Sequence, residues 1–260
     1  MLSISPIPAF SDNYIWHLER DSEHWVVDPG DAKPVLGVLG DSPLNGILVT
    51  HHHLDHTGGI AELSRRYRCP VYGPGAIEGV TEALTAGDRR EILGLPLEVM
   101  AVPGHTLDHL ALLLEEAGTN GAPQRHLFCG DTLFAAGCGR LFEGTPAQMY
   151  DSLSKLAALP PETRVYCAHE YTLANLRFAE ATEPGNAAIQ NRIAEVEALR
   201  ADKRPTLPST IGEELATNPF LRCHIPAVAR RAANHGANGG VEDSNEVEVF
   251  ARLRRWKDSF

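Results

Sequence analysis

The stretch "ILVTHHHLDHTGG", residues 47–59, places four histidines and one aspartate within six consecutive positions directly behind a short apolar run. If the strand predicted for "ILVT" ends at Thr50, His51 and His53 lie two apart in extended chain and project to the same side, while His52 points away. Asp55 and His56 follow where the chain turns toward "TGG", whose glycines would allow a tight turn into the next helix. These two side chains can then face a point beside the first pair, so one segment would supply ligands to two metals.

Working outward, further ligand-type residues close other β-like runs: His105 in "AVPGHT", Asp131 in "LFCGDT" and His169 in "VYCAHE". Active-site residues of α/β sheets gather at strand ends. Five histidines and two carboxylates suit a pair of divalent ions of the zinc, iron or manganese type, because no thiolate is offered. His17, His24, His52, His109, His126, His224 and His235 sit in no ligand-spaced cluster and read as structural or surface residues.

Up to about residue 168, short β-like runs such as "YIWHL", "HWVVDPG", "CPVYGPG" and "TRVYCAH" alternate with Gly/Pro punctuation, with helical patterns over 59–68 and 146–159. After about Tyr171 every patterned segment is helical, and "NHGANGG" reads as a flexible turn between the last two helices. The expectation is a layered α/β domain over 1–170 and a helical domain over 171–260.

Composition limits the partners. A 260-residue chain with 43% hydrophobic and 22% charged residues can bury one large core or two modest ones. No leader pattern opens it, and no apolar run approaches the roughly 20 residues that span a bilayer. Five cysteines without a C-x-x-C pair signal neither a disulfide framework nor a cysteine zinc site, so a soluble cytoplasmic protein is expected. A formal charge of −11 argues against a nucleic-acid partner. The basic run at Arg252, Arg254, Arg255 and Lys257, taken alone, reads as a solvated helix face.

In this order, "THHHLDH", "PGHT", "GDTLF" and "CAHEYT" resemble the metallo-β-lactamase superfamily, whose fold is an αββα sandwich. Within it the chain resembles the glyoxalase II (hydroxyacylglutathione hydrolase) family almost from end to end, through "SDNY", "AGCGRLFEG", "NPFLR" and "RRWKDSF". The resemblance implies that His51, His53 and His105 hold one metal, that Asp55, His56 and His169 hold the second, and that Asp131 bridges both. It implies a glutathione site formed by Arg140, Leu141 and Phe142, by His169, Glu170 and Tyr171, and by Arg254 and Lys257. The family often has Lys at position 140 and Tyr at position 142; Arg140 keeps the charge, but Phe142 has no hydroxyl to donate.

The implied reaction is hydrolysis of an S-(2-hydroxyacyl)glutathione, D-lactoyl being the family's expected acyl group, as the second step of methylglyoxal detoxification. A metal-bridged hydroxide, oriented by Asp55 and Asp131, would attack the carbonyl. A thiolate of unperturbed pKa ~8.5 leaves without a general acid. No G-x-S-x-G motif supports a serine triad. Three rivals share the metal motif. A persulfide dioxygenase-like iron enzyme would not require the complete second ligand set, net charge weighs against a nuclease, and a non-catalytic metal binder would be expected to have lost ligands. A monomer acting on a small glutathione thioester, away from nucleic acid and membranes, is the expectation.

Overall fold

In the computed structural model, residues 1–118, 121–235 and 245–260 are described. Five residues of the predicted "NHGANGG" turn, 236–240, lie outside them. The chain divides into two compact units: residues 1–102, 108–130 and 164–170 form the first, and 103–107, 131–163 and 171–260 the second.

The first unit opens with β1 (Ser3–Ala9), β2 (Asn13–Arg20), β3 (Glu23–Val27), α1 (Ala32–Leu39), β4 (Gly46–Leu48), α2 (Leu54–Thr57), α3 (Ile60–Tyr67), β5 (Val71–Pro74) and β6 (Glu82–Leu84). The six strands form one sheet in sequence order. Its first three strands run antiparallel, while β3 to β6 pair in parallel. The prolines of "SISPIPA" are tolerated because β1 is the edge strand, where an absent N–H breaks no inner ladder.

A second sheet follows with β7 (Arg89–Ile92), β8 (Leu95–Ala101), β9 (Leu110–Ala117) and β10 (Pro123–Gly130). After β11 (Leu133–Phe134), β12 (Gly137–Cys138) and α4 (Pro146–Ala157) of the other unit, β13 (Arg164–Cys167) joins it parallel to β10. Alternation along β2 explains the layering. Ile15 packs with Val26, Ile47, Val49 and the buried residues of α1 and α3, whereas Trp16 faces the opposite way. Its indole N–H donates to the Cys167 carbonyl at 3.0 Å and its ring meets Tyr166 edge-on at 4.9 Å. One face of the first sheet is thus covered by helices and the other by the second sheet, which is why β2 and β4 are buried on both sides.

The ligand-bearing turn departs from expectation in two ways. The strand ladder stops at Leu48, not Thr50, because the Thr50 N–H and hydroxyl both turn to the Asp28 carboxylate, at 2.8 and 2.7 Å. The glycines of "TGG" also serve a different purpose. Gly58 and Gly59 have φ of −59° and −85°, open to any residue. A Cβ on Gly58 would lie 2.5 Å from the Gly30 carbonyl oxygen, and one on Gly59 2.6 Å from that of Pro29. Close approach of two backbones, rather than a tight turn, requires them.

The second unit holds the β11–β12 hairpin, α4, α5 (Thr172–Thr182), α6 (Ala187–Ala201), β14 (Ser209–Thr210), α7 (Ile211–Thr217), α8 (Pro226–Asn234) and α9 (Glu246–Asp258). Capping boxes at Thr145/Gln148 and Thr210/Glu213 start α4 and α7. Phe178 stacks on Phe220 in its core, and Phe250 meets Phe220 edge-on. A buried polar network joins it: Arg192 pairs with Glu214 at 2.7 Å, and Glu214 accepts from Ala136 N–H and the Asn218 amide at 2.7 and 3.0 Å. The same Asn218 amide donates to the Phe134 and Gly137 carbonyls, so "NPFLR" holds the hairpin that leads into Arg140.

Candidate metal centre

His51, His56, His105 and His169 each meet a partner at Nδ1. In the first unit, His56 Nδ1 lies 3.0 Å from Asp28 Oδ2 and His169 Nδ1 2.7 Å from Asp12 Oδ1. A carboxylate can only accept, so both Nδ1 atoms carry a proton, and in the neutral ring it is Nε2 that presents the lone pair. Those Nε2 atoms each approach Asp55 Oδ2 at 3.5 Å. Asn13 donates its amide to the same Asp55 oxygen at 3.0 Å. Asp55, His56 and His169 therefore offer three ligand atoms within 4.8 Å of one another.

His51 and His53 converge as the spacing predicted, with Nε2 of the first 3.1 Å from Nδ1 of the second. Thr50 Oγ1 sits 3.0 Å from His51 Nδ1. His109 stacks on this ring at 4.5 Å and is fully buried. His52 is exposed and turned to Asp108 at 2.9 Å.

In the second unit, His105 follows the same rule with a backbone acceptor. Its Nδ1 donates to the Arg140 carbonyl at 2.9 Å, and Nε2 lies 3.4 Å from Asp131 Oδ2. Both side chains are buried. Phe142, well exposed, lays its ring edge-on to His105 at 5.2 Å. The donor set consists of imidazoles and carboxylates, which is the chemistry that divalent zinc, iron or manganese accepts.

Arg140, Leu141, Phe142 and Arg254 line one cavity of about 320 Å³, together with Pro146, Ala251, Arg255 and Asp258. Lys257 and Tyr171 are not among its lining residues. Arg254 is buried, donating to the Cys138 carbonyl at 2.8 Å and lying over the Phe220 ring. Lys257 donates to the Ala174 carbonyl at 3.3 Å and lies over Phe178 and Phe260. Burial, with the nearby Arg254 charge, brings its ammonium down to about 8. Tyr171 rests edge-on against Phe134, and Glu170, in the first unit, accepts from the Tyr14 hydroxyl at 2.9 Å.

Residues 11–169 match the profile of the metallo-β-lactamase superfamily, and residues 170–260 match that of the hydroxyacylglutathione hydrolase C-terminus. A hydroxyacylglutathione hydrolase of Dechloromonas aromatica is 52% identical, with both chains covered completely. The chain belongs to the hydroxyacylglutathione hydrolase family.

Membership in the hydroxyacylglutathione hydrolase family covers the chain from end to end, so the enzyme class does not rest on the His-rich motif that wider relatives share. Those wider relatives show the fold. ETHE1 from Myxococcus xanthus superposes with a TM-score of 0.64 at 22% identity, covering 98% of this chain and 91% of its own. TTHA1623, solved in a di-iron-bound form, gives 0.56 at 24% identity over 84% of this chain and all of its own. A metallo-β-lactamase fold carrying these His/Asp clusters points to a two-metal hydrolase centre.

Sequence reading missed three residues that hydrogen-bond the predicted ligands: Asp12, Asn13 and Asp28. A signal was present for one of them. "HWVVDPG" ends a strand in an acid, as "LFCGD" does.

Proposed function

We propose that this protein hydrolyses the thioester of an S-(2-hydroxyacyl)glutathione, with D-lactoyl the expected acyl group, releasing the 2-hydroxy acid and glutathione. The observation that carries the reading is the fixed tautomer of the ligand histidines. Asp28, Asp12 and the Arg140 carbonyl each accept from an Nδ1, of His56, His169 and His105 respectively, so in three of the five proposed ligand histidines the neutral ring leaves Nε2 available to a cation.

In this reading His51, His53 and His105 would hold one divalent ion, Asp55, His56 and His169 the second, and Asp131 would contribute to both. Zinc is the first choice, with iron and manganese suited to the same donors. When bound, such a pair supplies an acidified water as nucleophile and a Lewis acid for the thioester carbonyl. The chain's own contribution is preorganisation: Asn13 holds the Asp55 carboxylate, Asp12 and Asp28 hold imidazoles, and none must reorient during reaction. The departing thiol, with an unperturbed pKa of ~8.5, needs no proton donor, so Glu170 can remain bonded to Tyr14 throughout.

An acidic protein must select an anionic thioester through local cations. Arg140 and Arg254 in the cavity, with Lys257 three residues further along α9, serve that purpose here, so residues 171–260, together with Arg140, act in recognition and the rest of residues 1–170 in catalysis. We assign the reaction to the cytoplasm and to a monomer. All five cysteines are buried thiols, which supports a reducing compartment. Among the described residues no helix is long and apolar enough to cross a membrane.

The reading is tested with S-D-lactoylglutathione, following free thiol and D-lactate together. Equal release of both is expected. Thiol release without D-lactate, or neither product, refutes it.

A further inference from the structure

Among its described residues the first unit leaves four large apolar side chains exposed: Met1, Phe10, Val38 and Leu54. Met1 is the terminal residue and Val38 belongs to α1, but the other two lie beside one proposed ligand. Leu54, 81% exposed, immediately precedes Asp55 at the start of α2. Phe10, 61% exposed, approaches the Asp55 backbone across Gly30. A Cβ on Gly30 would lie 1.8 Å from the Asp55 carbonyl oxygen and 2.9 Å from Phe10 Cε2, so only glycine lets the ring and the ligand segment close on each other.

Phe10 also holds a backbone that disfavours it. It opens the three-residue turn between Ala9 and Asn13 with φ of +51°. Gly, Asn or Asp would take that conformation at less steric cost and serve the turn equally, leaving Asp12 and Asn13 to hold His169 and Asp55. A ring kept there against both backbone preference and water calls for a contact that the folded chain alone does not supply. One exposed Phe or Leu needs no such account; two beside the same ligand do.

Asp55, His56 and His169 gather polar donor atoms, so an acyl group held there through its oxygens leaves its carbon substituent to the apolar rim. We infer that Phe10 and Leu54 are specificity-determining residues that cover the 2-substituent of the acyl group and favour a larger alkyl or aryl group over the methyl of lactoyl. The inference deepens the proposed function and rests on it for the 2-hydroxyacyl group. Its test is therefore made on binding, which does not require turnover.

D-Lactate and D-mandelate, 2-hydroxy acids that carry methyl and phenyl, are titrated into protein loaded with cobalt, whose visible absorption reports a ligand at the centre. The wild type should bind D-mandelate about five- to tenfold more tightly, as follows from burying on the order of 50 Å² of apolar surface. Phe10→Asn keeps the backbone of the turn and removes the ring. Combined with Leu54→Gln, it should bring the two acids to within about twofold, chiefly by weakening D-mandelate, whereas Phe10→Tyr should keep most of the gap. Equal weakening of both acids in the double variant, or loss of its cobalt, would mean that these residues only prop the ligands, and would overturn the inference. So would a wild type that binds both acids equally, or neither. If the acids are distinguished but S-D-lactoylglutathione is not hydrolysed, the hydrolase reading fails while the assignment of Phe10 and Leu54 stands.

Discussion

The buried carboxylate of Asp28 accepts a hydrogen bond from His56 Nδ1 at 3.0 Å while its two oxygens also receive the Thr50 N–H and hydroxyl. One side chain therefore ends β4 and orients His56, a proposed ligand five residues after the His-rich run begins at His51. Asp28→Asn can still accept one hydrogen bond but cannot accept from all three donors. It should lower affinity for one of two metals by about 10- to 100-fold, the usual cost of losing a carboxylate behind a ligand histidine. Competition against a chromophoric chelator measures this. Unchanged affinity at both sites would remove Asp28 from the metal account.

Lys257 gives the reaction a pH signature. Its ammonium is brought down to about 8, first by burial and then by the Arg254 charge, so it loses that charge as pH rises through this value. KM for S-D-lactoylglutathione should rise severalfold between pH 7 and about 9, while Lys257→Arg, charged throughout, should hold KM nearly level. A wild-type KM that does not move across this range would exclude Lys257 from substrate binding.

His126 predicts acid sensitivity of the fold. Burial, reinforced by the Arg164 charge, lowers its pKa from 6.5 to about 4, and its Nδ1 meets the Tyr166 hydroxyl at 3.1 Å. The unfolded chain then binds this proton at higher pH than the folded one. Stability is present above about 6.5 and drains away as pH falls toward 4. Two and a half pH units at about 1.4 kcal/mol each amount to on the order of 3 kcal/mol. Urea unfolding at pH 7 and 4.5 should show a smaller acid loss in His126→Gln than in wild type; equal losses would contradict the assignment.

The polar network of the helical part should be costly to break from one side. Glu214 is fully buried against Arg192, so Glu214→Ala leaves a guanidinium without its counter-charge and should destabilise by about 3–5 kcal/mol. The paired change Arg192→Met with Glu214→Leu should recover most of that. If the single variant unfolds at the wild-type midpoint, the network contributes nothing to stability.

Much of the fold was legible because burial on one or both strand faces leaves a period in the sequence. The run "ILVT" and the alternation in "LPLEVMA" both announce strands, and the helical last third is written in its caps. The short strands β6 and β7 leave no such trace, being mostly exposed. The ligand-type residues carry the strongest signal, since histidines at strand ends have few other uses. Their partners were hidden for a physical reason: Asp28 reaches Thr50 through the parallel pairing of β3 with β4, and Asp12 reaches His169 across 157 positions of chain. Topology brings these together, and local spacing does not encode it. Side-chain direction was also unreadable. Spacing puts Arg254 and Lys257 on one face of α9, yet Arg254 turns inward to the Cys138 carbonyl and Lys257 lies across aromatic rings.

Metal-dependent thioester hydrolysis by this chain is measured most directly as loss of the thioester absorbance of S-D-lactoylglutathione. Metal-replete protein is compared with the same protein stripped by chelator and then reconstituted with zinc, iron or manganese, metal content being determined in each sample. The account predicts rapid loss with two ions bound per chain, none after stripping, and recovery on reconstitution. Absence of turnover in protein shown to carry two ions, or undiminished turnover after their removal, would contradict it.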